Sequence, residues 1–286
     1  NILSLIAGLV ILVFFVPYTA SGFNACGTLF SSLFGVDYFT AMVISAIVIV
    51  AYTTLGGFLA ASTTDLIQSI VMTIALVVVV GFGINYAGGW DNVVVNANSM
   101  PGFLELFNTY DASANASTDY SALTIASTLA WGLGYFGMPH ILLRFMAIGD
   151  KNKLKTSRRI ATVWVFISMA IAILIGVIGS AVVKNGTIAL ESSNAQRIII
   201  EISKLISGHG AVFAILAGVI IAGILAATMS TSDSQLLAAA SAVSQNIVRE
   251  FFGKKLSQKA SMIVARCAVI CISIIAVIWA KDEGSV

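Results

Sequence analysis

Polar side chains are concentrated in the segment ATMSTSDSQ, residues 227–235, which lies within a strongly apolar part of the sequence. Hydroxyl, carboxylate or amide groups occur on seven of its nine residues. At about 3.6 residues per turn, one helical face and its adjoining edge contain Ala227, Ser230, Thr231, Asp233 and Ser234. Na⁺ is well served by hydroxyls and exposed carbonyls with a carboxylate to balance its charge. The spacing predicts a cation site; the alternative is that the hydroxyls merely hydrogen-bond to the carbonyl four residues earlier.

A second candidate position is Asp65, the one ionisable acid between Tyr38 and Trp90. It lies about eight residues beyond a turn predicted at residues 55–57, which corresponds to roughly 12 Å of helix rise. A carboxylate at such depth costs several kcal/mol unless it is paired, protonated or bound to a cation. We therefore predict a functional role for Asp65, and the alternative is that it caps the start of its helix.

The third feature is WGLGYFGMPHILLRF, residues 131–145, in which three glycines precede Pro139. This pattern predicts a broken helix, and unwound backbone at membrane depth is tolerated chiefly where it lines a cavity. Trp131, Tyr135 and Met138 are spaced at i, i+4 and i+7, so they share one face. We predict that this face lines a substrate site; ordinary packing is the alternative.

The composition indicates an integral membrane protein. Of the 286 residues, 58% are hydrophobic and 10% are charged, and the mean hydropathy is +0.98, whereas soluble domains carry roughly 25% charged residues. The net charge of +2 is not gathered into the basic face that nucleic-acid binding needs. These values exclude a soluble enzyme or a nucleic-acid-binding domain.

The residues that catalysis or a transition metal would need are sparse. Cys26, Cys267 and Cys271 lie in apolar runs, and no histidine or second cysteine pair completes a metal set, so all three are predicted to be buried thiols. The histidines are His140 and His209, and no nucleophile and base pair is recognisable. We therefore predict that the protein is not an enzyme.

Seven stretches are apolar enough to cross a bilayer as helices, a crossing that takes about 20 residues. They are residues 2–34, 38–55, 58–86, 123–147, 160–183, 211–247 and 261–280. A kink is expected at Pro17.

Lysine and arginine give the predicted orientation, because basic residues near span ends are retained in the cytoplasm. Residues 1–143 contain neither, whereas basic residues cluster at 144–159 and 249–259. Two spans separate these clusters, so one side of the membrane, the cytoplasm, holds both. Asp65 and the Ser230 face then both fall in the middle-to-inner part of the membrane, where they could meet.

The same orientation places residues 88–122 and 184–210 outside the cell. Residues 88–122 are polar and contain no basic residue, which agrees with this side. Mixed apolar and polar spacing at residues 103–107 and 189–206 predicts short surface helices, either as lids or as packed loops.

Four segments, in chain order, resemble the sodium:solute symporter family, most closely its bacterial sodium/proline symporters. They are FFVPYTASG at 14–22, YTTLGGFLAASTTDLIQ at 52–68, WGLGYFGMPHILLRFMAI at 131–148 and ILAATMSTSDSQLL at 224–237. The resemblance implies an all-α, leucine-transporter-like bundle of inverted repeats, with residues 1–286 as a single transmembrane transporter domain. The seven spans would be core helices three to nine, and the first, second and tenth core helices have no counterpart.

The resemblance also implies roles for individual residues. The main sodium site corresponds to the carbonyl of Ala227 and the hydroxyls of Ser230 and Thr231. An additional sodium site of some members corresponds to Asp65, Ser230, Asp233 and Ser234. Those members have a hydroxyl where this chain has Asp233. Positions tied to proline recognition correspond to Tyr18, Trp131, Tyr135 and Pro139, and Met138 stands where proline symporters often have Gln.

The predicted function is Na⁺-coupled import of a small organic solute, with proline expected, by alternating access in the bacterial inner (plasma) membrane. Na⁺ is the predicted co-transported ion, no organic cofactor or nucleic acid is expected, and membrane lipid surrounds the protein. Two alternatives stay open. One is a proton-coupled carrier that uses Asp65 and Asp233; the other is a symporter-like membrane sensor domain.

Overall fold

The computed structural model describes residues 2–282, with only the backbone described for residues 192 and 193. The α-helices are α1 (Ile2–Phe34), α2 (Tyr38–Tyr86), α3 (Trp90–Ser99), α4 (Ala122–Gly134), α5 (Pro139–Met146), α6 (Leu154–Lys184), α7 (Ile198–Ser207), α8 (Ala211–Ser241) and α9 (Gln258–Trp279). Short 3₁₀ segments are Tyr135–Gly137, Lys151–Lys153 and Ser192–Arg197, and a π-helical segment, Ala242–Phe251, continues α8. Strands β1 (Asn108–Asp111) and β2 (Ala116–Asp119) form an antiparallel hairpin.

The chain forms two compact units. The first contains the residues up to 70 and from 224 onward, and in it α1 packs against the π-helical segment and α9. Its fully buried side chains include Phe23, Leu29 and Met42. The second unit contains residues 71–223, in which α3 and α7 both pack against α6.

Within residues 2–282, five helical segments are long and apolar enough to cross a membrane: residues 2–34, 38–86, 151–184, 211–251 and 258–279. The difference from the seven predicted spans has two causes. One long helix, α2, contains two of the predicted spans, and the predicted fourth span is divided into shorter helices. Pro17 lies inside α1, and the kink expected there stays a prediction.

The two predicted spans within α2 are separated by a break at Gly57. Its backbone angles of φ 60° and ψ −154° are not helical. L-residues are strained in this region, whereas glycine adopts it readily because it has no Cβ. The break divides α2 where the sequence predicted a turn.

The predicted fourth span is broken, as its glycines and proline indicated. Helix α4 ends at Gly134, a 3₁₀ turn covers Tyr135–Gly137, and Met138 is extended before α5 begins at Pro139. Proline suits the first position of a helix because its missing N–H would have no intrahelical partner there. The break therefore follows from local sequence.

The prediction of a surface helix at residues 103–107 is wrong. Those residues form turns, and the helix of this polar segment is α3. Pro101 and the left-handed Gly102, with φ 72°, precede them, and β1 follows at once, so no helical turn has room to propagate. In the other segment, a 3₁₀ stretch at Ser192–Arg197 leads into α7.

The prediction of three buried thiols is correct for Cys26 alone. Cys26 is buried, whereas Cys267 and Cys271 are exposed. These two lie one turn apart on α9, while the neighbouring Ala268 and Ile272 are buried. An apolar run does not define which face of a helix packs, so burial here depended on tertiary structure.

A candidate cation site on the eighth helix

The polar segment of α8 is helical, and its hydroxyls turn back onto the helix. Ser230 Oγ and Thr231 Oγ1 both donate to the carbonyl oxygen of Ala227, at 3.1 and 3.0 Å. Thr228 and Ser232 donate in the same way to the carbonyls of Ile224 and Thr228. The local back-bonding foreseen as the alternative is therefore present.

This back-bonding fixes what the hydroxyls can still do. A serine or threonine hydroxyl has one hydrogen and two acceptor lone pairs. Since Ser230 and Thr231 both donate their hydroxyl hydrogens to the Ala227 carbonyl, their oxygens can only accept a further hydrogen bond or bind a cation. Three oxygens thus lie close together, on Ala227, Ser230 and Thr231, and the group suits a cation rather than an anion.

A completely buried carboxylate, Asp233, lies beside these oxygens on α8. Ser234 Oγ donates to the Ser230 carbonyl at 2.7 Å and lies 3.0 Å from Asp233 Oδ1. The structure thus brings Ala227, Ser230, Thr231, Asp233 and Ser234 together, as the helical spacing predicted. A buried carboxylate needs compensation by hydrogen bonds or by a positive charge.

Tyr52, on the first half of α2, supplies part of that compensation. Its hydroxyl donates to Asp233 Oδ2 at 2.9 Å and lies 3.4 Å from the Met229 carbonyl oxygen. Sequence reasoning missed this residue, although it opens the YTTLGG segment. Its role depends on a contact between residues 181 positions apart, which no local pattern reveals.

Asp65 lies in the second half of α2 and is half-buried. The helix resumes after Gly57, and Asp65 lies beyond its first two turns. Helix capping concerns the first turn, so the capping alternative for Asp65 does not fit.

Helix α1 approaches this part of α8 closely at Gly22. A Cβ atom on Gly22 would clash with Ser232 Oγ, so a larger residue at this position would force the Ser232 hydroxyl to rotate. Gln235 and Thr53 are also buried in this unit, and the side-chain amide of Gln235 has no hydrogen-bond partner within residues 2–282. Sequence reasoning did not assign these three residues to the site.

The residues predicted to contact substrate lie in both units. Tyr18 is on α1 in the first unit, with 36% of its surface exposed. Trp131 and Tyr135, in the second unit, are exposed, and their rings pack edge to face with centroids 5.8 Å apart. Met138 and Pro139 form the start of α5.

The donor set of the site differs from that of a transition-metal centre. Across residues 2–282, no group of three or more His, Cys, Asp or Glu residues is placed to hold a metal ion. Hydroxyl and carbonyl oxygens beside a carboxylate fit a hard monovalent ion better.

The chain has a fold of the leucine-transporter-like class, with long apolar helices and one helix that is broken before Pro139. Its fold resembles that of a Na⁺-coupled sialic acid symporter described in a substrate-bound outward-open state, with a TM-score of 0.77 and 20% identity. That likeness covers 96% of this chain and 57% of the other. The chain belongs to the sodium:solute symporter family, whose sequence profile matches residues 1–285.

Several curated bacterial relatives match essentially the whole chain. The high-affinity proline transporter PutP of Bacillus subtilis is 38% identical over 285 residues, covering 100% of this chain and 57% of its own length. The osmoregulated proline transporter OpuE of the same organism is 37% identical, with 100% and 55% coverage. A sodium/proline symporter of Staphylococcus aureus is 35% identical, with 97% and 52% coverage.

The chain spans about half the length of the curated relatives it matches. The family and the long apolar helices identify a multi-pass plasma-membrane protein, which confirms the predicted location. The family is one of transporters rather than enzymes, which also confirms the prediction.

Proposed function

We propose that the protein of which this chain forms part is a Na⁺-coupled symporter that imports proline by alternating access. The observation that carries this proposal is the acceptor oxygen cluster of Ala227, Ser230 and Thr231 beside the buried Asp233. The proline transporters among the relatives support the choice of solute. Residues 1–286 act as a single transporter domain in this proposal.

Na⁺ binds first at the α8 oxygens in the proposed cycle. The hydroxyls of Ser230 and Thr231 rotate, which breaks their hydrogen bonds to the Ala227 carbonyl. Both hydroxyl oxygens and the carbonyl oxygen then bind the ion through their lone pairs. Asp233 and Ser234, with Asp65, form the additional cation site. The charge of Na⁺ offsets the cost of keeping the Asp233 carboxylate buried.

Proline binds against the aromatic surface of the broken fourth span. Trp131 and Tyr135 offer apolar ring faces to the pyrrolidine ring, with Met138 and Pro139 just after them in the chain. Tyr18, on α1, is a further residue that we assign to proline recognition. Na⁺ and proline then raise each other's affinity by the same factor, because coupling between two binding equilibria is reciprocal. Rocking of one helix group against the other releases both in the cytoplasm.

A proton-coupled carrier is the second candidate, and one observation favours it. Asp233 is a buried carboxylate in addition to Asp65, and Tyr52 donates a hydrogen bond to Asp233. A buried carboxylate can be neutralised by a proton as well as by Na⁺.

Uptake by proteoliposomes that contain the full-length protein tests the proposal. Radiolabelled proline is offered with an imposed Na⁺ gradient or with choline at the same fixed pH, and amino and organic acids compete. We expect Na⁺-dependent uptake that unlabelled proline suppresses best. Uptake that needs only a proton gradient would establish the proton-coupled carrier. If neither gradient drives uptake of any solute, both transport proposals are contradicted, which is the result expected for a sensor domain.

A further inference from the structure

The second unit contains a cavity of about 520 Å³ at the start of α6, and none of the predicted site residues lines it. Its wall is formed by Phe145 near the end of α5, Lys151 in the 3₁₀ turn that follows, and Leu154, Lys155 and Arg158 in the first turns of α6. Ligand pockets are commonly about 300–1,000 Å³. The cavity is therefore large enough to hold part of an organic molecule.

The wall of this cavity is almost entirely apolar, although three of its five residues are basic. The carbon stems of lysine and arginine can cover apolar surface while their charged ends stay in water, and all three basic residues are exposed. Phe145 is half-buried and Leu154 is 42% exposed. The cavity thus combines an apolar floor with a rim that carries positive charge.

Little negative charge in this part of the sequence opposes the basic rim. Residues 120–190 contain one acid, Asp150, whose Oδ1 accepts a hydrogen bond from the Asn152 N–H at 2.9 Å and so caps the 3₁₀ turn. Within residues 2–282, the side chains of Lys151, Lys155 and Arg158 form no ion pair or hydrogen bond. Their charge is therefore available to an anionic ligand.

The length of α6 places the cavity at the level of the lipid headgroups. The 31 residues of this helix extend about 46 Å, whereas the hydrocarbon core of a bilayer is about 30 Å thick. The apolar run of α6 begins at Ile160, so residues 154–159 precede the hydrocarbon core, at the end that the basic residues predict to be cytoplasmic. Basic residues at this boundary attract the anionic lipids of the cytoplasmic leaflet.

We propose that this cavity binds an anionic phospholipid of the cytoplasmic leaflet. The lipid phosphate pairs with Lys151, Lys155 and Arg158. The glycerol and upper acyl carbons lie on Phe145 and Leu154. A free phosphate ion would use the charged rim but not the apolar floor, and a zwitterionic lipid would bring a positive charge to the basic residues. Both parts of the cavity together therefore favour a lipid with net negative charge.

Lipid binding here and transport can fail independently, because no residue of the cavity belongs to the proposed Na⁺ or proline sites. The test uses the purified full-length protein in a neutral detergent and measures tritium-labelled lipid by scintillation proximity. The probes are dioleoyl phosphatidylglycerol and dioleoyl phosphatidylcholine, which have the same acyl chains and differ in headgroup charge. We expect phosphatidylglycerol to bind saturably and about tenfold or more tightly. Equal affinity for the two lipids would overturn the proposal.

Inorganic phosphate distinguishes a lipid site from a site for a free anion. Binding of phosphatidylglycerol is compared in sodium phosphate and in sodium chloride at equal ionic strength. We expect equal lipid binding in the two salts, because phosphate cannot replace the contacts with the apolar floor. Displacement of the lipid by phosphate alone would show that the cavity holds a free anion instead.

Two charge-matched variants locate the binding. Lys155→Gln/Arg158→Gln removes two charges from the cavity wall, whereas Lys153→Gln/Arg159→Gln removes two charges from the same segment outside the cavity. Non-specific attraction to the basic segment decreases equally in both. We expect the first variant to weaken phosphatidylglycerol binding about tenfold or more and the second to bind nearly as the parent does. Equal losses would contradict a defined site.

A second pair of variants tests the apolar floor. Leu154→Asn places an amide in the cavity wall, and Leu142→Asn makes the same change at a leucine of α5 that is also 42% exposed but lies outside the cavity. We expect Leu154→Asn to weaken phosphatidylglycerol binding about threefold or more, since acyl contact is lost, and Leu142→Asn to leave it unchanged. Unchanged binding in Leu154→Asn would contradict the seating of a lipid in the cavity.

Discussion

At the scale of single residues, the direction of two hydrogen bonds determines the chemistry of the α8 cluster. Ser230 and Thr231 donate to the Ala227 carbonyl and retain their lone pairs for a cation. Hydroxyls that back-bond in this way are usually read as local helix effects. In the proposed site, the shared Ala227 carbonyl and the buried Asp233 make these hydroxyls part of one set of cation ligands.

Thr231→Val tests this cluster with a nearly isosteric change. Loss of a ligand to a charged ion costs about 1.5–3 kcal/mol, which corresponds to about a tenfold or greater rise in the Na⁺ concentration for half-maximal uptake. Thr228→Val is the matched control, because Thr228 makes the same type of back-bond, to Ile224, outside the cluster. Na⁺ dependence is measured for both variants in proteoliposomes. Equal shifts in both would show that helix geometry, not the ligand set, is responsible.

The Tyr52–Asp233 hydrogen bond gives a second prediction. Tyr52→Phe leaves a buried carboxylate oxygen without its donor, so we expect destabilisation of about 1–3 kcal/mol. Asp233→Ser removes the carboxylate, and in that background the same change should cost much less. A double-mutant cycle of thermal unfolding in detergent measures the difference. Additive effects of the two substitutions would contradict a direct energetic coupling.

At the scale of elements, the break at Gly57 separates the half of α2 that carries Tyr52 from the half that carries Asp65. Gly57→Ala forces an L-residue into backbone angles that it rarely adopts, at a cost of about 1–3 kcal/mol. We expect lower thermal stability and reduced uptake. Gly81→Ala in the same helix is the control, since its Cβ would meet nothing within 4 Å and alanine favours the helix. Equal behaviour of the two variants would mean that the break is not constrained.

Local sequence predicted the elements better than their contacts. The positions of glycine and proline predicted the breaks at Gly57 and before Pro139, because these residues determine the backbone angles locally. Helical spacing likewise predicted the α8 face. The exposure of Cys267 and the pairing of Tyr52 with Asp233 escaped prediction because both depend on which faces meet in three dimensions. The turns at residues 103–107 show the same limit, since a short amphipathic pattern was too weak to outweigh Pro101 and Gly102.

At the scale of the whole molecule, the buried carboxylate makes the identity of the coupled ion the central question. Fixed acceptors and a negative charge within a membrane helix favour occupancy by a cation. Na⁺ and H⁺ could each neutralise Asp233, but only an ion that takes several ligands would use the oxygens of Ala227, Ser230 and Thr231 together. Coupling to Na⁺ therefore requires direct binding of the ion at α8.

Calorimetric titration of the purified full-length protein with NaCl, against choline chloride at the same ionic strength, tests this claim most directly. We expect a saturable heat specific to Na⁺, with an affinity that Thr231→Val weakens about tenfold or more and Thr228→Val leaves unchanged. Heats that are identical for NaCl and choline chloride in the parent protein would contradict it.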